Sequence, residues 1–529
     1  MPAPRPIPRR TLWSVLWIAL PVAAAQLPPL REALPVLGLL AGWLGWALLG
    51  AAIAALAIAM YRPEPRWPRP AALLVAATLA YLGLGLSWIR VVEATGDEPE
   101  YLLMAQSLWK DGDLDLQNNW EARDFEAYVS GMPRAPFGTF RADGRPFPAR
   151  SPGLPFAVAP VLAAGGRAAC VALLAALCSV LALLTASLAR RLGADESGVR
   201  TALLASLGPP ALFMTFQVYP ALLAAVAVAL CLRLLLDEPA PWSAAVAGLA
   251  ASTLPWLHTR LIGVAVALGI VALAKLRGRS LVAFLAAVAA MAAGFFAYHH
   301  ALFGALSPLG PYGGKVPRGV RFADPLRAAP GILLDRSFGL LPYAPVFALA
   351  FASAWRTRAR VWPLLLVALG LLGPVVMWRA WFGGFAPPAR FLVPLVPVLG
   401  ALVALRMSEP RRGLARWTGP LLAAGFALAA VLCLPPAEMR LLNVKHEAPY
   451  GYSWLSDPDV AGRYLPNFTS RDPADERVCL VWTTAALVLI ALDLLAQRRR
   501  DVDRLFGTPA LPVSLLVAVG VAVDVWAGG

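Results

Sequence analysis

Residues Ala33–Met60 read ALPVLGLLAGWLGWALLGAAIAALAIAM, 28 positions without one charged side chain. About 20 consecutive apolar residues cross a bilayer as a helix, so this stretch is long enough to span one. Ala168–Ala189 continues uncharged for 22 residues and Thr201–Leu232 for 32. Over all 529 residues 59% are hydrophobic and only 15% charged, where a soluble domain carries about 25%. Such a chain cannot cover its apolar surface by folding on itself in water. A soluble enzyme, a secreted disulfide scaffold and a disordered chain are excluded. The fold class is all-α and integral to the membrane, since helices satisfy their own backbone in lipid.

Fifteen runs read as spans: approximately 11–29, 33–60, 71–92, 168–189, 199–216, 218–236, 243–256, 259–276, 280–301, 337–355, 361–380, 390–406, 416–434, 477–497 and 509–527. Arg5, Arg9 and Arg10 precede the first, and nearly every second connection is short and basic. Arg62, Arg66 and Arg69 mark one such connection, Arg356, Arg358 and Arg360 another, and Arg498, Arg499 and Arg500 a third. Clustered arginines stay on the cytoplasmic side. The net charge of +15 therefore reports topology, and nucleic acid has no soluble domain to bind. The chain divides into N-terminal spans (1–92), an outer loop (93–167), a transmembrane core with outer turns (168–434), a further outer loop (435–476) and C-terminal spans (477–529). Within 93–167, Tyr101, Leu102, Met104, Ala105, Leu108 and Trp109 recur at helical spacing, which predicts an amphipathic helix on the membrane surface. Pro152–Ala164 reads as a second short helix dipping into the interface. Five cysteines in no paired spacing exclude a zinc site, although Cys433 and Cys479 flank one outer loop and are placed to form a disulfide.

The outer face carries the chemistry. Gly96-Asp97-Glu98-Pro99-Glu100 falls where the third span leaves the membrane. Carboxylates at that boundary are costly if desolvated and suggest function, while Asp97 also suits a helix cap. Lys110-Asp111-Gly112-Asp113-Leu114-Asp115 places Asp113 and Asp115 as secondary acidic candidates, and lacks the glycine and glutamate of an EF-hand. His258 and Arg260, Arg336, Arg379 and Arg390 lie in outer turns where the positive-inside rule disfavours arginine. Guanidinium groups bind phosphate bidentately and stay charged, so these five are candidates for holding a phosphate. His299, His300 and His446 have no metal spacing, and no Walker loop, GxSxG elbow or dinucleotide fingerprint is present.

These features together resemble the GT-C class of membrane glycosyltransferases, which includes the protein O-mannosyltransferases and the lipid A aminoarabinose transferases. The resemblance rests on Asp97-Glu98 at the outer end of an early span and on Tyr101–Trp109 running into Lys110-Asp111-Gly112-Asp113. Arg150-Ser151-Pro152-Gly153-Leu154-Pro155 is similar to the family's HPPG-type turn, with Ser151 where the family has histidine. Pro387-Pro388-Ala389-Arg390-Phe391-Leu392-Val393-Pro394 resembles its Arg-Phe-Leu-x-Pro element. The shared layout covers about residues 71–406, and two spans precede the one leading to the acidic pair where the family has one.

The resemblance implies a GT-C-like multi-span bundle in the inner (plasma) membrane, with its catalytic loops on the periplasmic side. It implies a polyprenyl-phosphate-linked sugar as donor and an acceptor hydroxyl on a glycan, lipid or protein. Asp97 is then the general base, Glu98 positions acceptor or sugar, and Arg260, Arg336, Arg379, Arg390 and His258 stabilise the phosphate, with inversion expected. No cofactor is expected. A divalent cation, Mg or Mn, would need Asp113 or the donor phosphate to complete its shell, and the reading is without metal. The alternatives are a ligase using a lipid pyrophosphate donor, with its cations in the outer loop 302–336 that holds Lys315, Arg318, Arg321, Arg327 and Arg336, and a lipid-linked-sugar transporter or flippase.

Overall fold

A computed structural model of the chain describes residues 9–61, 70–131, 139–148, 150–237, 239–312, 325–411, 413–433, 441–442, 455–508 and 510–527. Lys315, Arg318, Arg321 and His446 lie outside the described residues. Among the described residues, seven helices are long and apolar enough to cross a membrane. They are Pro70–Val91, Gly153–Arg191, Gly278–Phe303, Arg358–Val376, Arg390–Met407, Gly413–Cys433 and Pro473–Ala496. Ala221–Leu235 and Leu511–Trp526 are shorter apolar helices. The described β-structure is one antiparallel pair, Thr139–Phe140 with Pro146–Phe147.

Several of the fifteen expected spans are interrupted, each at proline or glycine. The run 33–60 opens with the 3-10 turn Pro35–Leu40 before the helix Trp43–Tyr61. The run 199–216 is α-helical only as Glu196–Leu207, stops before Gly208-Pro209-Pro210 and ends in the 3-10 turn Leu212–Met214. The run 337–355 becomes an α-helix only at Leu349–Arg356, beyond Pro342 and Pro345. Proline removes a backbone donor and clashes with the preceding turn, which apolar run length does not register.

Arg390–Met407 forms the middle of the bundle, 89% buried, whereas Gly278–Phe303 is 11% buried and turns outward. Lipid tails are as apolar as leucine, so helices associate in lipid by close fit, which small residues allow. A Cβ built on Gly263 would lie 2.3 Å from the Gly370 carbonyl oxygen, and one on Gly370 2.4 Å from that of Gly263. This crossing locks Ile262–Lys275 against Arg358–Val376 one turn away from Arg260.

Gly153–Arg191 is broken at Gly165 and Gly166, whose φ/ψ angles of −163°/25° and 63°/−158° are not helical. The expected short helix over Pro152–Ala164 is the segment before this break. The Glu98–Lys110 helix is packed more deeply than a helix lying on a surface, because Pro99 and all of Tyr101–Ser107 are buried and only its last turn, with Trp109, is exposed. One side packs on Gly153–Arg191. On the other, Leu103 and Met104 join Leu114, Leu116, Phe125 and Phe147 in a small second core. The rest of the loop folds over the helix, which helical periodicity alone does not reveal. Cys433 and Cys479 are free and buried, so the disulfide they were placed to form is absent.

The far end of the central segment is tied down by charge. Arg406, fully buried, donates from Nη2 to Asp493 Oδ1 at 2.8 Å and from Nε to Oδ2 at 3.1 Å. Its Nη1 reaches Glu409 at 3.2 Å and the Arg411 carbonyl at 3.0 Å, and Asp493 Oδ1 also accepts the Leu414 N–H.

Candidate active site

Past Val91 the chain turns at Gly96, with φ of +61°. A Cβ there would stand 2.4 Å from the Tyr219 hydroxyl and 2.8 Å from the Phe385 carbonyl oxygen, so both the angle and the space demand glycine. The turn delivers Asp97 to the start of Glu98–Lys110. Asp97 occupies the cap position, yet its side chain makes no capping bond. Oδ1 accepts from Arg150 Nη2 at 2.7 Å and Oδ2 from Arg390 Nη2 at 3.3 Å. Its backbone N–H donates to the Tyr219 hydroxyl at 3.1 Å, which in turn donates to the Thr95 carbonyl at 2.9 Å. Arg150 also donates to Glu100.

Facing Asp97 are the turn after Pro241–Leu257 and the start of Arg390–Met407. The Arg260 guanidinium lies over the Phe391 ring at 3.8 Å, while that of Arg390 lies 4.7 Å from the Tyr219 centroid and 5.1 Å from that of Phe391. Among the described residues, the Arg260 side chain has no carboxylate partner. His258 Nδ1 accepts the Arg260 backbone N–H at 3.2 Å, so the neutral ring carries its proton on Nε2. A small cleft opens between Asp97, Tyr101, Tyr219, His258, Arg260 and Arg390.

Among the described residues, charge around Asp97 does not balance: Asp97 and Glu100 are two carboxylates, and Arg150, Arg260 and Arg390 are three guanidiniums. Burial pushes the Asp97 carboxyl up, but Arg390, Arg150 and Arg260 outweigh it and hold it below the usual carboxylate range. Burial, and then the like charge of Arg390, bring Arg260 down to about 9. His258 is held well below its ordinary value by burial and by Arg260, Arg150 and Arg390, so it is neutral. Beyond the cleft, an apolar groove of about 620 Å³ runs between Gly153–Arg191, Ala221–Leu235 and Pro241–Leu257, lined by Phe156, Leu223, Leu230, Trp256 and Leu257. Leu257 is the residue before His258.

Of the residues singled out in the sequence, Asp97, His258, Arg260 and Arg390 meet at the cleft. Glu98 does not. It is fully buried and takes Arg167 Nε at 2.9 Å and Nη2 at 3.0 Å, behind the Gly165-Gly166 break. Arg336 donates to the Gly462 carbonyl at 2.8 Å, and Arg379 is exposed outside the cleft lining. Asp113 and Asp115 form a turn away from the cleft, in which Asp113 Oδ1 accepts the Ser107 hydroxyl at 3.1 Å and the Asp115 N–H at 3.0 Å. Asp113 therefore has no place in a cation shell beside Asp97. Among the described residues, no three His, Cys, Asp or Glu side chains are grouped to hold a metal ion. The sequence reading passed over Arg150, Tyr101 and Tyr219 as site residues. Arg150 carried the signal used for Arg390, an arginine in an outer loop beside a Pro-rich element.

Solved structures similar to this chain include two of ArnT from Cupriavidus metallidurans. The one bound to undecaprenyl phosphate matches over 86% of this chain and 77% of its own, at 14% identity and a TM-score of 0.42. The apo form matches over 87% and 77%, at 15% identity and a TM-score of 0.44. Arabinosyltransferase EmbB from Mycobacterium smegmatis matches over 92% of this chain and 45% of its own, at 16% identity and a TM-score of 0.40. The chain is similar to these transferases. No protein-family profile matches it, and no curated protein does.

Proposed function

We propose that the protein is a membrane glycosyltransferase that moves a sugar from a polyprenyl-phosphate carrier to an acceptor hydroxyl. The observation that carries the reading is Asp97 paired with Arg150 and Arg390 at a cleft that Arg260 and Arg390 line, where Arg260 has no carboxylate partner among the described residues. One uncompensated positive charge matches the single charge of a phosphodiester, and the groove starting at Leu257 offers an apolar path for an isoprenoid tail. The sequence motifs around Asp97, Arg150 and Arg390 support the same class. The arginine pattern of the connections supports a cleft on the periplasmic side of the inner membrane.

Arg260, Arg390 and the His258 Nε2–H bind the donor phosphate. The acceptor oxygen attacks the anomeric carbon, its proton passes to Asp97, and the carbon–oxygen bond to phosphate breaks with inversion. The lipid phosphate leaves with one more negative charge, which the arginines stabilise as it develops. Asp97 is a weak base while Arg390 and Arg260 act on it undiluted. A bound phosphate screens both, so the donor raises the basicity of the group that drives its own transfer.

The ligase reading loses ground at the cations of the 302–336 loop that are described. Arg327 is bonded to the Phe468 carbonyl and Glu476, and Arg336 to Gly462, none of which lines the cleft. A transporter calls for ionisable groups near the bilayer midplane, and the span residues that could serve are bonded to one another or to neighbours. Arg233 pairs with Asp237 and Ser187, Asp493 with Arg406, and Asp524 with Arg463 and Tyr464.

The test is release of polyprenyl phosphate from a panel of polyprenyl-phosphate sugars by purified wild type and Asp97→Asn. Turnover in the wild type, lost in a well-folded variant, supports both class and site. Turnover matched by the variant leaves the class and removes Asp97 from it. No turnover across a panel supplied with glycan, lipid and peptide acceptors counts against the class.

A further inference from the structure

The turn 335–339 lies outside the cleft lining, yet its bonds lead to Arg390. Asp335 is fully buried, and its carboxylate takes three backbone N–H bonds from two separate stretches. Oδ1 accepts from Ser337 at 2.8 Å and Phe338 at 3.0 Å, and Oδ2 accepts from Phe468 at 2.7 Å. The same stretches are tied again by the Arg336 N–H to the Pro466 carbonyl at 2.9 Å and by Arg327 Nε to the Phe468 carbonyl at 2.6 Å. Burial raises the Asp335 carboxyl to about 6 in spite of its three donors and Arg336. A lone oxygen acceptor would serve the local turn, so a buried carboxylate earns its place only through the second oxygen, which reaches Phe468.

Phe338 passes this restraint on. Its ring packs on Phe382 at 5.2 Å, and its carbonyl accepts the Ala389 N–H at 3.0 Å. Ala389 sits at φ 54° and ψ 22°, a left-handed conformation that a residue with a Cβ leaves unless held. The next residue is Arg390. We propose that Asp335 is a positioning residue for Arg390: by fixing Phe338 it keeps Ala389 left-handed and so aims the Arg390 guanidinium at Asp97 and the cleft. The readout rests on the reading above, in which Arg390 binds a lipid phosphate.

The experiment is a double-mutant cycle on the Kd for undecaprenyl phosphate in detergent, with size-exclusion profiles confirming folded protein. Asp335→Asn sets an amide N–H against a backbone N–H and is expected to weaken binding about tenfold. In an Arg390→Ala background the same substitution is expected to change Kd by less than about twofold, because its effect has already been removed. Adding Ala389→Gly to Asp335→Asn is expected to recover part of the loss, since glycine holds the left-handed turn without help. An equal loss in both backgrounds, or none in the first, overturns the proposal, because a general packing defect does not depend on Arg390. If Arg390→Ala itself binds like wild type, the functional reading fails instead. The proposal is then decided by the structure of the Asp335→Asn protein, where Arg390 displaced from Asp97 supports it and Arg390 unmoved overturns it.

Discussion

Arg390 and Arg406 begin and nearly end the same buried segment, and both face carboxylates, but the two clusters are built differently. At Arg406 the charges close on themselves, with Asp493 bidentate, Glu409 alongside and backbone groups filling the remaining positions. At Arg390 an open cleft remains, one carboxylate is shared by two arginines, and Arg260 is stacked on a ring. Pairing of arginine with carboxylate is thus no mark of function in a membrane protein. An unbalanced count beside open space is what the proposed function rests on.

The comparison breaks most sharply at the two acids. Asp97→Asn is expected to lower turnover by about 10²–10⁴-fold, the usual loss on removing a general base, with the protein still monodisperse. Asp493→Ala should instead leave turnover per folded molecule nearly intact and cost about 3–5 kcal/mol of stability, because Arg406 is left buried and short of charge. Thermal unfolding in detergent checks this. The pair Arg406→Met with Asp493→Leu should restore most of that loss, whereas apolar replacement at Asp97 and Arg390 restores nothing. A dead Asp493→Ala enzyme with an unchanged Tm would show that the inner cluster is not merely structural.

Next in size is Arg260→Ala, expected to weaken undecaprenyl phosphate binding about tenfold or somewhat more, the loss of a charged hydrogen bond. Unchanged binding would mean that the stacked arginine holds no phosphate. The smallest effect is a displacement in pH. In the free enzyme, Asp97 is held below the ordinary carboxylate range, so kcat/KM falls only when pH drops through that low value. Bound phosphate screens Arg390 and Arg260 and leaves burial to push the group up. The acid limb of kcat should then lie at higher pH than that of kcat/KM. Coincident limbs would show that donor binding does not act on Asp97.

Charge in the wrong place was legible in the sequence. Asp97, His258, Arg260 and Arg390 stand in connections that the arginine pattern of the sequence reads as outer, and the fold brings all four to one cleft. Neighbours in sequence were not told apart. Glu98 looked equivalent to Asp97 because its partner, Arg167, lies in another helix behind a glycine break. One residue further along a helix start turns a side chain by about 100°, enough to take it out of the cleft, and only the packed structure says which side the cleft is on. Arg336 and Arg379 obeyed the same rule as Arg390 but lie elsewhere, so the rule finds candidates and not their destinations. The buried Glu98–Lys110 helix shows the same limit for the fold. Helical periodicity marks its apolar residues, while the layer covering its outer face comes from Leu114, Leu116, Phe125 and Phe147, all of which lie beyond the helix end.

Anchored at Arg390 and at Arg406, the central segment works like a ruler of fixed length. Inserting or deleting one residue between those anchors would turn one end by about 100° and move it by about 1.5 Å relative to the other. Side chains between Phe391 and Leu405 can be exchanged for others of similar volume, whereas the number of residues there cannot change without uncoupling one cluster from its partners.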